Sequence, residues 1–150
     1  MSSTPHPDLV RLHALAGSWV GHEKMHPNAH DPKGTTYASR ADFALGANGF
    51  VVTNTTEQHL DGAQTFSAHG VFWHDGEGQV HLHSWDLFGA PPDVFTGGWE
   101  GDRLVLVAHN SMGYWRYGFQ LRGDVFDTTM ESGNDGETWK LLSEGHYDRS

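Results

Sequence analysis

The side chains that could do chemistry gather on one hairpin. Residues 64–74 and 79–88 read as consecutive strands around Asp75-Gly76-Glu77-Gly78. A two-residue turn at Gly76-Glu77, or a four-residue loop at 75–78, pairs Trp73 with Val80, Val71 with Leu82 and His69 with Ser84. Opposed residues share a face. One face therefore holds Ser67, His69, Val71, Trp73, Val80, Leu82, Ser84, Asp86 and Phe88. It is the more apolar face and is expected to point inward. His69, Ser84 and Asp86 then meet in the interior. An imidazole beside a carboxylate can be a general base with its orienting partner. It can also hydrogen-bond a polar ligand in an apolar cup, or be a core histidine satisfied by its neighbours. An odd-length turn would exchange the faces.

The other face carries His74, His81 and His83 with Gln79 and Trp85. Imidazoles two residues apart on a strand can share a zinc or iron ion, but no carboxylate on that face completes such a site. The expectation is a solvated, histidine-rich exterior, with His74, His81 and His83 as the alternative metal ligands. No G-x-S-x-G, P-loop, H-E-x-x-H or EF-hand pattern occurs, and no G-x-G-x-x-G follows a strand.

The elements that must hold these residues are one helix and a series of strands. Pro7 to Ala16 reads as the helix: Pro7 suits its first turn, Asp8 complements the dipole, Leu9, Leu12 and Leu15 form a stripe, and Gly17 stops it. Strands follow near 18–26, 35–45, 50–59, 64–74, 79–88, 94–100, 103–110, 114–122, 125–132 and 138–147, separated by Gly, Asp, Asn and Pro. Such a run without crossover helices predicts an all-β, antiparallel barrel of about ten strands, one domain over 1–150 with the helix closing an end. Trp115, Tyr117 and Phe119 are expected inside on the eighth strand, Phe126, Thr128 and Met130 on the ninth, and Trp139, Leu141, Ser143, Gly145 and Tyr147 on the tenth.

Three motifs carry a resemblance. Leu15-Ala16-Gly17-Ser18-Trp19-Val20-Gly21 resembles the G-x-W opening of lipocalin-like, or calycin, barrels. Gly98-Trp99-Glu100-Gly101-Asp102-Arg103-Leu104 is similar to their mid-chain turn, and Tyr147-Asp148-Arg149 to the Y-x-R ending of a bacterial family of unknown function within that group. Lys24-Met25, Leu45-Gly46 and Trp85-Asp86 also match that layout. The resemblance implies a ten-stranded barrel with an internal ligand cavity and no particular activity. It turns Trp19 inward, and Glu23 and Met25 with it. Positions 23 and 69 are usually apolar in that pattern, so Glu23 and His69 stand out beside Asp86. Nitrobindin-type haem barrels are similar in shape and hold haem through a His on the last strand. Here the His of that strand, His146, directly precedes Tyr147 and does not match that ligand position.

Composition narrows the classes of function. With 9 Lys+Arg against 19 Asp+Glu the net charge is −10, which repels phosphate backbones and makes a nucleic-acid partner unexpected. Protonating all 12 His would carry the charge to +2. There is no Cys, hence no disulfide or thiol chemistry. No segment reads as a signal peptide or membrane span, so a soluble cytoplasmic protein is expected. The resulting expectation is a binding protein that holds a small, largely apolar or aromatic molecule. Trp19, Glu23, His69, Trp73, Ser84, Asp86 and Tyr117 line its cavity. The alternative is a small acid/base or metal-dependent enzyme using Glu23, His69 and Asp86. The cofactor is left unknown, with a metal possible, and a homodimer is left open.

Overall fold

The computed structural model describes residues 4–150. Ten antiparallel strands form a closed barrel: β1 (Gly17–Met25), β2 (Thr35–Gly46), β3 (Val51–Leu60), β4 (Ala63–His74), β5 (Val80–Asp86), β6 (Asp93–Glu100), β7 (Arg103–Asn110), β8 (Gly113–Arg122), β9 (Val125–Gly133) and β10 (Lys140–Arg149). Each strand pairs with its neighbours in the chain, and β1 pairs with both β2 and β10. Closure follows from period-two patterning: Leu104, Leu106 and Ala108 are buried on β7 while the residues between them are not. Among the described residues no helix is long and apolar enough to cross a membrane.

The N-terminal helix is shorter and tighter than expected. It is α-helical over α1 (Pro7–Val10) and becomes a 3-10 turn over Arg11–Leu15. A 3-10 helix has three residues per turn, so leucines spaced by three stack on one line. Leu9, Leu12 and Leu15 are all buried against the barrel.

All three recognised motifs converge on this helix. Trp19 Nε1 donates to the Leu15 carbonyl at 2.8 Å, and Trp99 Nε1 to the Asp8 carbonyl at 2.9 Å. Arg149 donates to the Ala14 and Ala16 carbonyls at 2.9 and 3.0 Å while its guanidinium lies 4.1 Å from the centre of the Trp19 ring. The helix thus seals one end, and the barrel opens at the other.

The β4–β5 hairpin corrects the expected register. Its loop runs from Asp75 to Gln79, five residues, and His74 pairs with Val80. Asp75 N–H donates to the Gln79 carbonyl at 3.1 Å, and the Asp75 carboxylate accepts from the backbone of Glu77 and Gln79. Gly76 and Gly78 take left-handed φ of 78° and 117° to close the loop. The odd length leaves β5 facing as expected but inverts β4. Gly70, Phe72 and His74 oppose Ser84, Leu82 and Val80 on the inner side, while His69, Val71 and Trp73 oppose Trp85, His83 and His81 outside. A second slip occurs on β10, where a bulge falls between Leu141 and Ser143. It puts Trp139 outside, under the Arg116 guanidinium at 4.5 Å, rather than in the core.

Candidate ligand cavity

Glu23 is the charged residue most completely enclosed by the barrel, at 8% exposure. Period two carries it inward from Trp19, and its opposite on β10 is Gly145, which also opposes Thr128 on β9. A side chain at Gly145 would overlap both Glu23 Oε1 and Thr128 Oγ1. Its absence lets the carboxylate lie across β10. There Glu23 Oε1 accepts from Tyr147 Oη at 2.6 Å and from Thr128 Oγ1 at 3.1 Å. Ser39 Oγ lies 2.7 Å from Tyr147 Oη. The phenolic proton goes to Glu23, and Ser39, whose hydroxyl also donates to the Glu57 carbonyl at 3.2 Å, closes this chain of polar side chains. Gly21 lies between them on β1, opposite both Ser39 and Tyr147.

Burial pushes the Glu23 carboxyl above its ordinary value, with the Tyr147 and Thr128 hydrogen bonds pulling the other way. Burial and the Glu23 charge push both Tyr147 and Tyr117 up, so both phenols stay protonated. Glu23 Oε2 makes no hydrogen bond among the described residues.

Glu23 lines a cavity of about 280 Å³ at the open half of the barrel. Its apolar wall is Met25, Phe66, Leu82, Phe95, Tyr117, Phe119 and Met130; its polar points include Glu23, Asn54, Gln58, Ser84, Asp86 and Asp93. Tyr117 stacks on Phe119 with ring centres 4.4 Å apart and meets Phe95 edge-on at 6.1 Å. Asn54 Oδ1 is buried without a partner, packed over Gly70, where a Cβ would overlap it.

Of the residues expected to line the cavity, Glu23, Ser84, Asp86 and Tyr117 do so. Three do not. Trp19 is wholly buried in the sealed half, edge-on to Phe126 at 4.8 Å. Trp73 lies outside, stacked on His81 at 4.3 Å. His69 is exposed, its Nδ1 3.2 Å from Thr55 Oγ1. The set Glu23, His69 and Asp86 is therefore not assembled, and no described histidine lines the cavity. Both misplacements follow from the odd loop. Sequence reasoning also passed over the partners of Glu23. Tyr147 and Thr128 were both read as inward, and registering β10 on β1 through Gly145 would have brought them to the carboxylate.

The alternative metal set is likewise divided. His81 and His83 are outside, His81 bonded to Asp75 Oδ2 at 2.8 Å, while His74 faces in. Among the described residues, His6, Asp8 and His74 bring metal-type ligand atoms within 4.8 Å of one another. The two imidazoles stack face to face at 3.7 Å with planes 6° from parallel, so no ion near them lies in both ring planes. Each Nδ1 accepts a backbone N–H, His6 from Asp8 at 3.1 Å and His74 from Gly76 at 2.9 Å. His74 Nε2 therefore carries the proton; it lies 3.8 Å from Asp8 Oδ2, buried without a hydrogen-bond partner on a side chain only 2% exposed. This cluster docks the helix on β4, and its stacked ring geometry does not suit a shared metal.

Among solved structures, Rv2717c from M. tuberculosis is similar to this chain with a TM-score of 0.76 at 18% identity, over 98% of this chain and 99% of that one. The S-type phycobiliprotein lyase CPES from Guillardia theta is similar with a TM-score of 0.67 at 14% identity, over 97% and 98%. No protein-family model and no curated protein matches the sequence. At these identities the likeness concerns the fold. The strand order and the N-terminal helix that closes one end give the chain a calycin-like fold, a barrel of ten antiparallel strands.

Proposed function

We propose that this barrel is a binding module that holds a small, largely apolar or aromatic molecule in its cavity. The observation that carries this reading is the enclosed wall of Phe95, Tyr117 and Phe119 beside a few polar points. That is the composition of small-molecule pockets, and the volume falls just below their usual range of about 300–1,000 Å³, which suits a ligand of few atoms. The rim supports it. Phe88 and Met112, at 76% and 82% exposure, stand on the β5–β6 and β7–β8 loops at the open end. A barrel of the same fold is a phycobiliprotein lyase. The enzyme reading loses its imidazole base with His69 outside, which leaves the carboxylates of Glu23, Asp86 and Asp93 in the cavity without it.

Native mass spectrometry of freshly purified protein tests this, against a Ser84→Trp variant that fills the cavity. The expected result is a small organic molecule that leaves on denaturation and is missing from the variant. A neutral naphthalene fluorophore should also bind the wild type and not the variant. Empty wild-type protein that also ignores the fluorophore would refute the reading.

A further inference from the structure

We infer that the ligand is a cation: a protonated amine or amidinium seats against Glu23 Oε2, and its aromatic body lies along Phe95, Tyr117 and Phe119. This rests on the reading that the cavity holds a small molecule. Three observations carry it.

The first is the division of labour within one carboxylate. Oε1 is tied to the wall by Tyr147 and Thr128, which fixes the orientation of the group. Oε2 is left with no donor among the described residues, in a residue that lines the cavity. A buried carboxylate is costly unless its remaining lone pairs are met. The protein meets half of them and leaves the other half facing the space a ligand would fill.

The second is the sign of the lining. Glu23, Asp86 and Asp93 contribute carboxylates, and no Lys, Arg or His contributes a balancing charge. The arginines stand elsewhere: Arg116 pairs with Glu131 and Arg149 with Asp124, on the outside of the wall. An anionic occupant would meet three like charges in a partly dry site. A cation would be drawn in at the mouth by Asp86 and Asp93, then find its partner at depth. Asp86 spends one oxygen on the Phe88 N–H at 3.0 Å, which holds its side chain at the rim.

The third is the wall itself. Tyr117 and Phe119 present stacked faces beside Phe95, and aromatic faces attract cations as well as apolar bodies. The groups facing Glu23 are the phenols of Tyr147 and Tyr117, which stay neutral, and His22 from the outer side of β1. Burial holds part of the Glu23 population protonated near its raised pKa. A cation would displace that proton, so binding should strengthen as pH rises.

The test uses three probes of one shape on the full-length protein: 2-phenylethylamine, 2-phenylethanol and phenylacetate. Calorimetric titration should show the amine binding at least about tenfold tighter than the alcohol, as expected for one good hydrogen bond to a charged group. Phenylacetate should bind weakest. Amine binding should release protons to the buffer, and Ser84→Trp should abolish it. In Glu23→Gln, checked for an unchanged melt, the amine should lose its advantage over the alcohol. Wild-type protein that takes the alcohol or the acid as tightly as the amine, with loss in Ser84→Trp, overturns the cation and leaves the binding module standing. Failure of all three probes in protein that still binds the neutral fluorophore overturns the cation alone, and failure of the fluorophore as well overturns both.

Discussion

Tyr147 donates its phenolic hydrogen to Glu23 Oε1 at 2.6 Å across the β1–β10 seam, where the barrel closes. The pair joins a residue of the Y-x-R ending to a charged group in the cavity wall. Removing the donor isolates a buried carboxylate, and that cost depends on whether the carboxylate is charged. Tyr147→Phe should therefore destabilise the protein by about 1–3 kcal/mol near neutral pH. Glu23 already has a raised pKa in the folded state, so its contribution to stability is fullest in acid and is lost as pH rises through that value. Losing Tyr147 raises the pKa further. The deficit of the variant should thus grow as pH rises above the ordinary carboxylate range in urea melts. A deficit independent of pH would show that the hydroxyl acts through Ser39 rather than through the Glu23 charge, since phenylalanine keeps the ring stacked on Phe126 with centres 4.5 Å apart.

His74 works with the opposite sign. Burial first, and then the neighbouring His6, hold its pKa below the ordinary imidazole value, while Asp75 and Asp8 pull the other way. The unfolded chain takes up a proton at about pH 6.5 that the folded chain resists, so this part of the stability is present above that pH and is lost below it. His74→Gln should flatten the acid limb of a stability–pH curve. An acid limb as steep as that of the wild type would assign acid sensitivity to other histidines.

Much of the fold was legible in the sequence. The single leucine stripe and ten turn-bounded runs give the helix, the strands and their order, because period-two burial and glycine turns are local signals. The site was legible in part. Glu23 came from Trp19 by counting along one strand, and Ser84 and Asp86 from the apolar majority of β5. His69 and Trp73 were misplaced because Asp75 folds its carboxylate over the backbone of Glu77 and Gln79 and takes Gln79 into the loop. One extra loop residue reverses every side chain on β4. The hydroxyls that hold Glu23 come from β9 and β10, more than a hundred residues away, and only the closing register brings them there.

Arg149 tests what the recognised motifs encode. Its guanidinium caps two carbonyls of the N-terminal helix while stacking on Trp19. Lysine lacks the planar fork and cannot do both. Arg149→Lys should lower stability by about 1–2 kcal/mol and leave probe binding at the far end of the barrel unchanged. Loss of binding with an unchanged melt would mean that the motif serves the ligand rather than the lid.

His69→Ala should be nearly silent. The side chain is exposed on the outer face, where it bonds Thr55 across the strand pair, and surface changes are usually within about 0.5 kcal/mol. Fluorophore affinity should stay within about twofold of the wild type, since that free-energy range corresponds to a factor near two. A tenfold loss would return His69 to the interior and overturn the five-residue loop.

Gly145 offers the most demanding check of the site, because its role is to be absent. It faces Glu23 on one side and Thr128 on the other, and the carboxylate crosses β10 over its Cα. A methyl there would overlap both Glu23 Oε1 and Thr128 Oγ1. The backbone is held by pairing on both sides, so the carboxylate must give way. Gly145→Ala should therefore break the Thr128 bond, strain that to Tyr147 and cost about 1–3 kcal/mol. It should also lower amine affinity by moving Oε2. In Gly145→Ala/Glu23→Ala the overlap with the carboxylate is gone and only the Thr128 hydroxyl has to turn away, so the glycine substitution should cost much less than in the wild type. That gives a coupling of about 1 kcal/mol or more in a double-mutant cycle. Additive losses would mean that Gly145 is required for backbone reasons alone, and that Glu23 does not lie where the Tyr147 hydrogen bond puts it.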